Sequence, residues 1–131
     1  MPVQVTVCDQ KIPGQTLHEF VVELLTERVT AREIIRCRVY QEVEDFNSKQ
    51  PEVYRGLVQP TDTEVTLNGF KVKKRRQLEW KEAFEKAIQA FESNRVLLLV
   101  DATQARTLDE EFVVTPKSLV TFLRLTPLVG G

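Results

Sequence analysis

The stretch RTLDEEFVVTPKSLVTFLRL, residues 106–125, decides the fold of this 131-residue chain. Its second half, Ser118 to Leu125, has the β-branched and apolar content of a strand. Two registers are open, because alternate strand residues point to opposite faces: either Leu119, Thr121 and Leu123 or Val120 and Phe122 meet a core. In the first half, Thr107-Leu108-Asp109-Glu110 can cap one short helical turn, with Leu108, Phe112 and Val113 as apolar anchors. After the strand come only Thr126-Pro127-Leu128-Val129-Gly130-Gly131. Glycines bury no side chain and are costly to order, so the final pair asks for a use of the terminus itself.

Upstream of this stretch, RVLLLV over 95–100 is a strand without alternation, the pattern of a strand covered on both faces. Residues 78–93 place Trp80, Phe84, Ala87, Ile88 and Phe91 in helical register, with Asn94 as a C-terminal cap. Glu64–Leu67 and Phe70–Val72 flank Asn68-Gly69, a dipeptide suited to a type I′ hairpin turn. Further back lies VTAREIIRCRVYQEVEDFN, residues 29–47, whose start is signalled twice. Thr30 and Glu33 form a capping box, and Val29 can staple onto Ile34. Ala31, Ile35, Val39, Val43 and Phe46 then make a core-facing helical stripe, with Arg32, Arg36, Glu44 and Asp45 outside, and Asn47 to Pro51 ends the helix. At the N-terminus Val3, Val5 and Val7 alternate with polar residues, Asp9 to Gln15 with Pro13-Gly14 reads as a turn, and His18, Phe20, Val22 and Leu24 share the returning face opposite Glu19 and Glu23.

The length suits one domain with an independent core. Eighteen basic and nineteen acidic residues give a net charge of −1, so no global field points to nucleic acid or an anionic membrane. The longest apolar run, Val96–Val100, is far short of the ~20 residues that span a bilayer. With no signal-peptide pattern, the expectation is a soluble cytoplasmic protein whose Cys8 and Cys37 are free thiols. Lys71, Lys73, Lys74, Arg75 and Arg76 lack interleaved aromatics and read as a solvated loop. His18 and two distant cysteines are too few for a metal site. Cys37 stands between Arg36 and Arg38, a setting that lowers a thiol pKa, yet no His or Asp partner for catalysis is evident. There is no phosphate-binding glycine loop, and neither an enzymatic role nor a cofactor is expected.

The order of hairpin, long helix, inserted hairpin and helix, strand, turn, strand and diglycine resembles the β-grasp fold of the ubiquitin-like proteins. Thr30 follows the first hairpin at the distance seen in ubiquitin, and Arg106–Leu125 resembles ubiquitin's Arg-Thr-Leu-x-Asp-Tyr-x-Ile block, its following turn and its Leu-Arg-Leu closing strand. Gly130-Gly131 matches the family's diglycine. The resemblance covers about residues 1–47 and 94–131 and leaves 48–93 as an insertion. It implies an α+β class, a ubiquitin-like β-grasp domain over residues 1–125 with an inserted hairpin and second helix, and a flexible tail over 126–131. Extended, those six residues reach roughly 20 Å.

By the same resemblance, an adenylating activating enzyme would join the Gly131 carboxylate to AMP from ATP, releasing pyrophosphate. A Cys thiol would displace AMP to form a thioester, and a conjugating enzyme would pass the acyl group to a Lys amine of a target, an isopeptide bond that an isopeptidase reverses. Four residues separate Leu125 from Gly130 where ubiquitin has a single Arg, which implies dedicated enzymes reading Leu128 and Val129 together with Arg124. The outer face of the strand equivalent to 96–100 carries ubiquitin's partner patch, so Leu97 and Leu99 either form such a patch or lie beneath the Trp80 helix. Two other roles fit the fold: a sulfur carrier ending in a thiocarboxylate, or an adaptor that is never conjugated.

Overall fold

The computed structural model describes residues 2–12, 15–51, 53–60, 63–66, 69–72 and 77–125. Strand β1 (Val3–Ile12) pairs antiparallel with β2 (Gln15–Leu24), burying Val3, Val5, Val7, Val22 and Leu24 on one face as their alternation requires. Asp9 does not begin a turn. It continues the strand opposite His18 and is only 1% exposed. Pro13 and Gly14 lie outside the described residues.

Helix α1 runs from Ala31 to Lys49. Its N-cap is Thr30, which ends the short strand β3 (Arg28–Thr30) and whose Oγ1 accepts from the Glu33 N–H at 3.2 Å. The Glu33 carboxylate is engaged by Arg36, which is half-buried rather than fully outside. The first-turn N–H groups of Ala31 and Arg32 donate to the carbonyls of Glu110 and Leu108 at 3.0 and 2.8 Å. The Thr107–Glu110 turn is thus a cap for α1 rather than a helix of its own. The anticipated stripe of Ala31, Ile35, Val39, Val43 and Phe46 is buried, and Ile34, Cys37 and Arg38 are buried with it.

Beyond α1, strands β4 (Val53–Tyr54), β5 (Thr63–Thr66) and β6 (Gly69–Val72) form a small antiparallel sheet in the order β4-β6-β5. Thr66 pairs with Gly69, so Gly69 lies in the strand, and the connection is Leu67-Asn68, which is outside the described residues. Gly69 is required by proximity: a Cβ there would stand 2.6 Å from the Tyr54 carbonyl oxygen, and its φ is +154°. Lys73 to Arg76 also fall outside the described residues. Helix α2 (Trp80–Glu92) packs against α1, where Trp80 meets Tyr40 edge-on at 5.5 Å and the Asn47 side chain exchanges two hydrogen bonds with the Leu78 backbone. It closes with a Schellman motif, Asn94 at φ +60° and the Arg95 N–H reaching back to the Ala90 carbonyl.

Strand β7 (Val96–Val100) turns through Asp101-Ala102 into β8 (Thr103–Gln104). Strand β9 (Glu111–Val113) pairs with β3, and β10 (Leu119–Arg124) closes the chain. Val113 is not an anchor: it is 63% exposed, and the next residue, Val114, is the buried one. The main sheet has the order β2-β1-β10-β7-β8, with β1 and β10 parallel and the other pairs antiparallel. Together with two helices this makes a mixed α and β architecture, compatible with the expected α+β class. The core lies between α1 and the sheet, joined by Ala87, Ala90 and Phe91 of α2. In β10 it is Val120 and Phe122 that face inward, which settles the register.

At the far side of the sheet, end strand β2 is met by Gln41 of α1. Its side-chain amide donates to the Val21 carbonyl at 2.7 Å and accepts from the Glu23 N–H at 3.3 Å. Among the described residues, no helix is long and apolar enough to cross a membrane.

Candidate functional site

Two regions meet the residues singled out in the sequence: the inner end of β10 and the outer face of the sheet. At the first, alternation of Val120, Phe122 and Arg124 sends the Arg124 guanidinium inward. Arg124 Nη2 donates to Asp9 Oδ2 at 3.0 Å and to the Gly56 carbonyl at 2.9 Å. Asp9 also receives both terminal nitrogens of Arg38, the second at 2.6 Å, and Arg38 Nε donates to Glu42 Oε1. Glu42 Oε2 accepts from the Leu57 N–H at 3.1 Å and from the Tyr54 hydroxyl at 3.3 Å. The Arg38 guanidinium is sandwiched over the Phe20 and Phe122 rings, 4.9 and 4.5 Å from their centroids.

Two arginines and two carboxylates thus neutralise one another inside the protein, linking β1, α1, the insertion and the last strand. Burial disfavours the Arg38 charge, but the carboxylates of Glu42 and Asp9 outweigh it and raise its pKa. Burial lowers the Arg124 pKa, with Asp9 opposing, and its Nε is buried without a hydrogen-bond partner. Burial and the Glu42 charge raise the Tyr54 pKa, so its hydroxyl remains a donor. Burial also lowers the His18 pKa, and its ring stacks on Phe20 at 4.8 Å.

On the outer face, Leu97 and Leu99 are half-buried and separate from the core cluster. Leu97 pairs with Leu123 and Leu99 with Thr121, while Leu119 is 43% exposed two residues along the same strand. At the end of α2, Phe91 and Asn94 line a common pocket with Leu97. The leucines form an apolar strip with Val21 and Thr6, which pair across β1 and β2 beside Leu119. Gly130, Gly131, Leu128 and Val129 lie outside the described residues.

Asp9, Arg38 and Glu42 were not anticipated, although their signal is present. Asp9 is the next inward position after Val3, Val5 and Val7, and Arg38 stands one helical turn from both Ile34 and Glu42.

The two cysteines, Cys8 and Cys37, are free and buried. The flanking arginines do not activate Cys37. Burial and the neighbouring Glu33 carboxylate push its thiol from the ordinary 9.0 up to about 11. That change lowers the thiolate fraction at pH 8 about 100-fold. In stopped-flow labelling with a disulfide reagent at pH 8, the Cys8→Ser protein should therefore react at about one-hundredth of its rate in denaturant, or slower. A fast folded-state reaction at Cys37 would contradict this environment.

Among the described residues, no group of three or more His, Cys, Asp or Glu side chains is placed to hold a metal ion. Comparison with known proteins finds no matching family model, no matching curated protein and no matching solved structure.

Proposed function

We propose that this protein is a ubiquitin-like modifier with a β-grasp body over residues 1–125. A hairpin and second helix are inserted in it, and Gly131 is the residue activated and joined to target amines. The observation that carries the reading is the sheet order β2-β1-β10-β7-β8, with parallel β1 and β10 at its centre and α1 across one face. This order supports a β-grasp body, and the last strand runs out into Leu125, which is 41% exposed six residues before Gly131. The partners are an adenylating enzyme, a conjugating enzyme, an isopeptidase and target proteins in the cytoplasm. Leu128 and Val129 serve tail recognition, and the Leu97 and Leu99 strip offers a docking surface. Arg124, turned inward onto Asp9 and Gly56, serves the tail through its root.

The test combines the full chain with ATP and a candidate adenylating enzyme. A thiol-sensitive adduct followed by reduction-resistant conjugates is expected, and both should vanish when Gly130-Gly131 is deleted. Intact-mass measurement of the native protein should find the free α-carboxylate on Gly131. A terminal thiocarboxylate would overturn the reading in favour of a sulfur carrier. Biological activity indifferent to the deletion but lost in Leu97→Asp would overturn it in favour of an adaptor.

A further inference from the structure

Among the described residues, the insertion touches the root of the C-terminal segment at Gly56, and the contact is built from both sides. On the side of the last strand, β1 pairing ends at Gln10 with Leu123, so Arg124 lies one residue beyond that support. Its backbone is still held by β7, opposite Val96, and the Leu125 N–H donates to the Arg95 carbonyl at 2.8 Å. On the core face, the Arg124 side chain is held by the Gly56 carbonyl, which accepts from it at 2.9 Å.

On the side of the insertion, residues 53–58 have their own anchors. Tyr54 and Leu57 are buried, the Tyr54 ring meets Phe46 edge-on at 5.4 Å, and both residues donate to the same Glu42 oxygen. Gly56 is buried between them, and a Cβ there would overlap the Tyr54 ring. A side chain at this position would have to displace the buried Tyr54 ring.

We propose that residues 53–58 are a clamp on the root of the C-terminal segment, with Gly56 and Arg124 as its two halves. The purpose rests on the modifier reading. A fixed root presents the chain end to an activating enzyme from a set position, which lowers the entropy lost on binding. Gly56 and Arg124 are therefore positioning residues, acting through the chain end rather than on the acyl group.

The experiment uses the full chain and Gly56→Ala, with amide exchange followed by NMR. Exchange at Leu125 should rise about tenfold or more, while the amides of Val5 and Ile35 change less than threefold. Trypsin should remove residues 125–131 about tenfold faster, because the bond after Arg124 requires that side chain to leave Asp9 and Gly56. Leu125 exchange that moves only in step with the core would overturn the clamp. If Gly56→Ala does not fold, Arg124→Met cuts the same link from the other half and must give the same local rise in exchange. With an adenylating enzyme that charges the wild type, Gly56→Ala should raise KM about tenfold at unchanged kcat. An unchanged KM overturns the assigned purpose. Failure of the wild type to charge sinks the modifier reading instead, while exchange and trypsin still judge the clamp.

Discussion

Replacing Arg38 with Met should remove about 3–5 kcal/mol of folding stability, read as a lower urea midpoint with little change in slope. Arg38 is fully buried and neutralises two carboxylates, Asp9 in a bidentate pair and Glu42 through Nε. Met preserves much of the length between the Phe20 and Phe122 rings, so the loss is chiefly electrostatic. Arg124 alone then faces two carboxylates, one more than it can neutralise. The double variant Arg38→Met/Glu42→Gln should recover part of the loss. It leaves the Asp9–Arg124 pair balanced, and Gln can still accept the Leu57 N–H. A coupling of about 1–3 kcal/mol is expected between the two substitutions. Strict additivity would show that the cluster is not one electrostatic unit.

Phe122→Ala should cost about 3–5 kcal/mol, the usual range for emptying a buried aromatic site. The ring is fully buried at the centre of the sheet and forms one wall of the slot that holds Arg38. Its removal therefore leaves a cavity and also takes a favourable face from the guanidinium. Leu119→Ala in the same strand should cost about 1 kcal/mol or less, because that side chain is 43% exposed and leaves no enclosed cavity. Urea titrations of the two proteins read the register of the strand directly. Equal costs, or the larger cost at Leu119, would mean that the faces are exchanged.

The periodic elements were legible in the sequence. Val3, Val5 and Val7 announced one face of β1, and the stripe from Ala31 to Phe46 announced α1, because many residues repeat one instruction. The buried charges broke those periods. Asp9 lay in phase with the valines but read as the start of a turn, since a carboxylate inside a sheet requires a partner and Arg38 is 29 residues away. Strand β8 was missed for a local reason. Its turn uses Asp101 and Ala102 at φ +48° and +70°, where Asn or Gly would have been the signal, and the Asp101 carboxylate secures it by accepting the Leu119 N–H at 2.8 Å. Of the candidate site, the outward direction of Leu97 and Leu99 followed from alternation once Leu98 was inside. The role of Arg124 did not, because its partner carbonyl belongs to Gly56 in an insertion with little repeating pattern of its own.

Gln41 has a bearing on how separate copies of the chain meet. By reaching over from α1 to the Val21 carbonyl and the Glu23 N–H, it occupies places on the sheet margin that a foreign strand would need for its ladder. An incoming β-segment must evict that amide before it gains anything, so zipper-like self-association starts with a deficit. This margin is thereby guarded against strand addition, and the guard is a neutral glutamine on a helix rather than a lysine or proline on the strand itself.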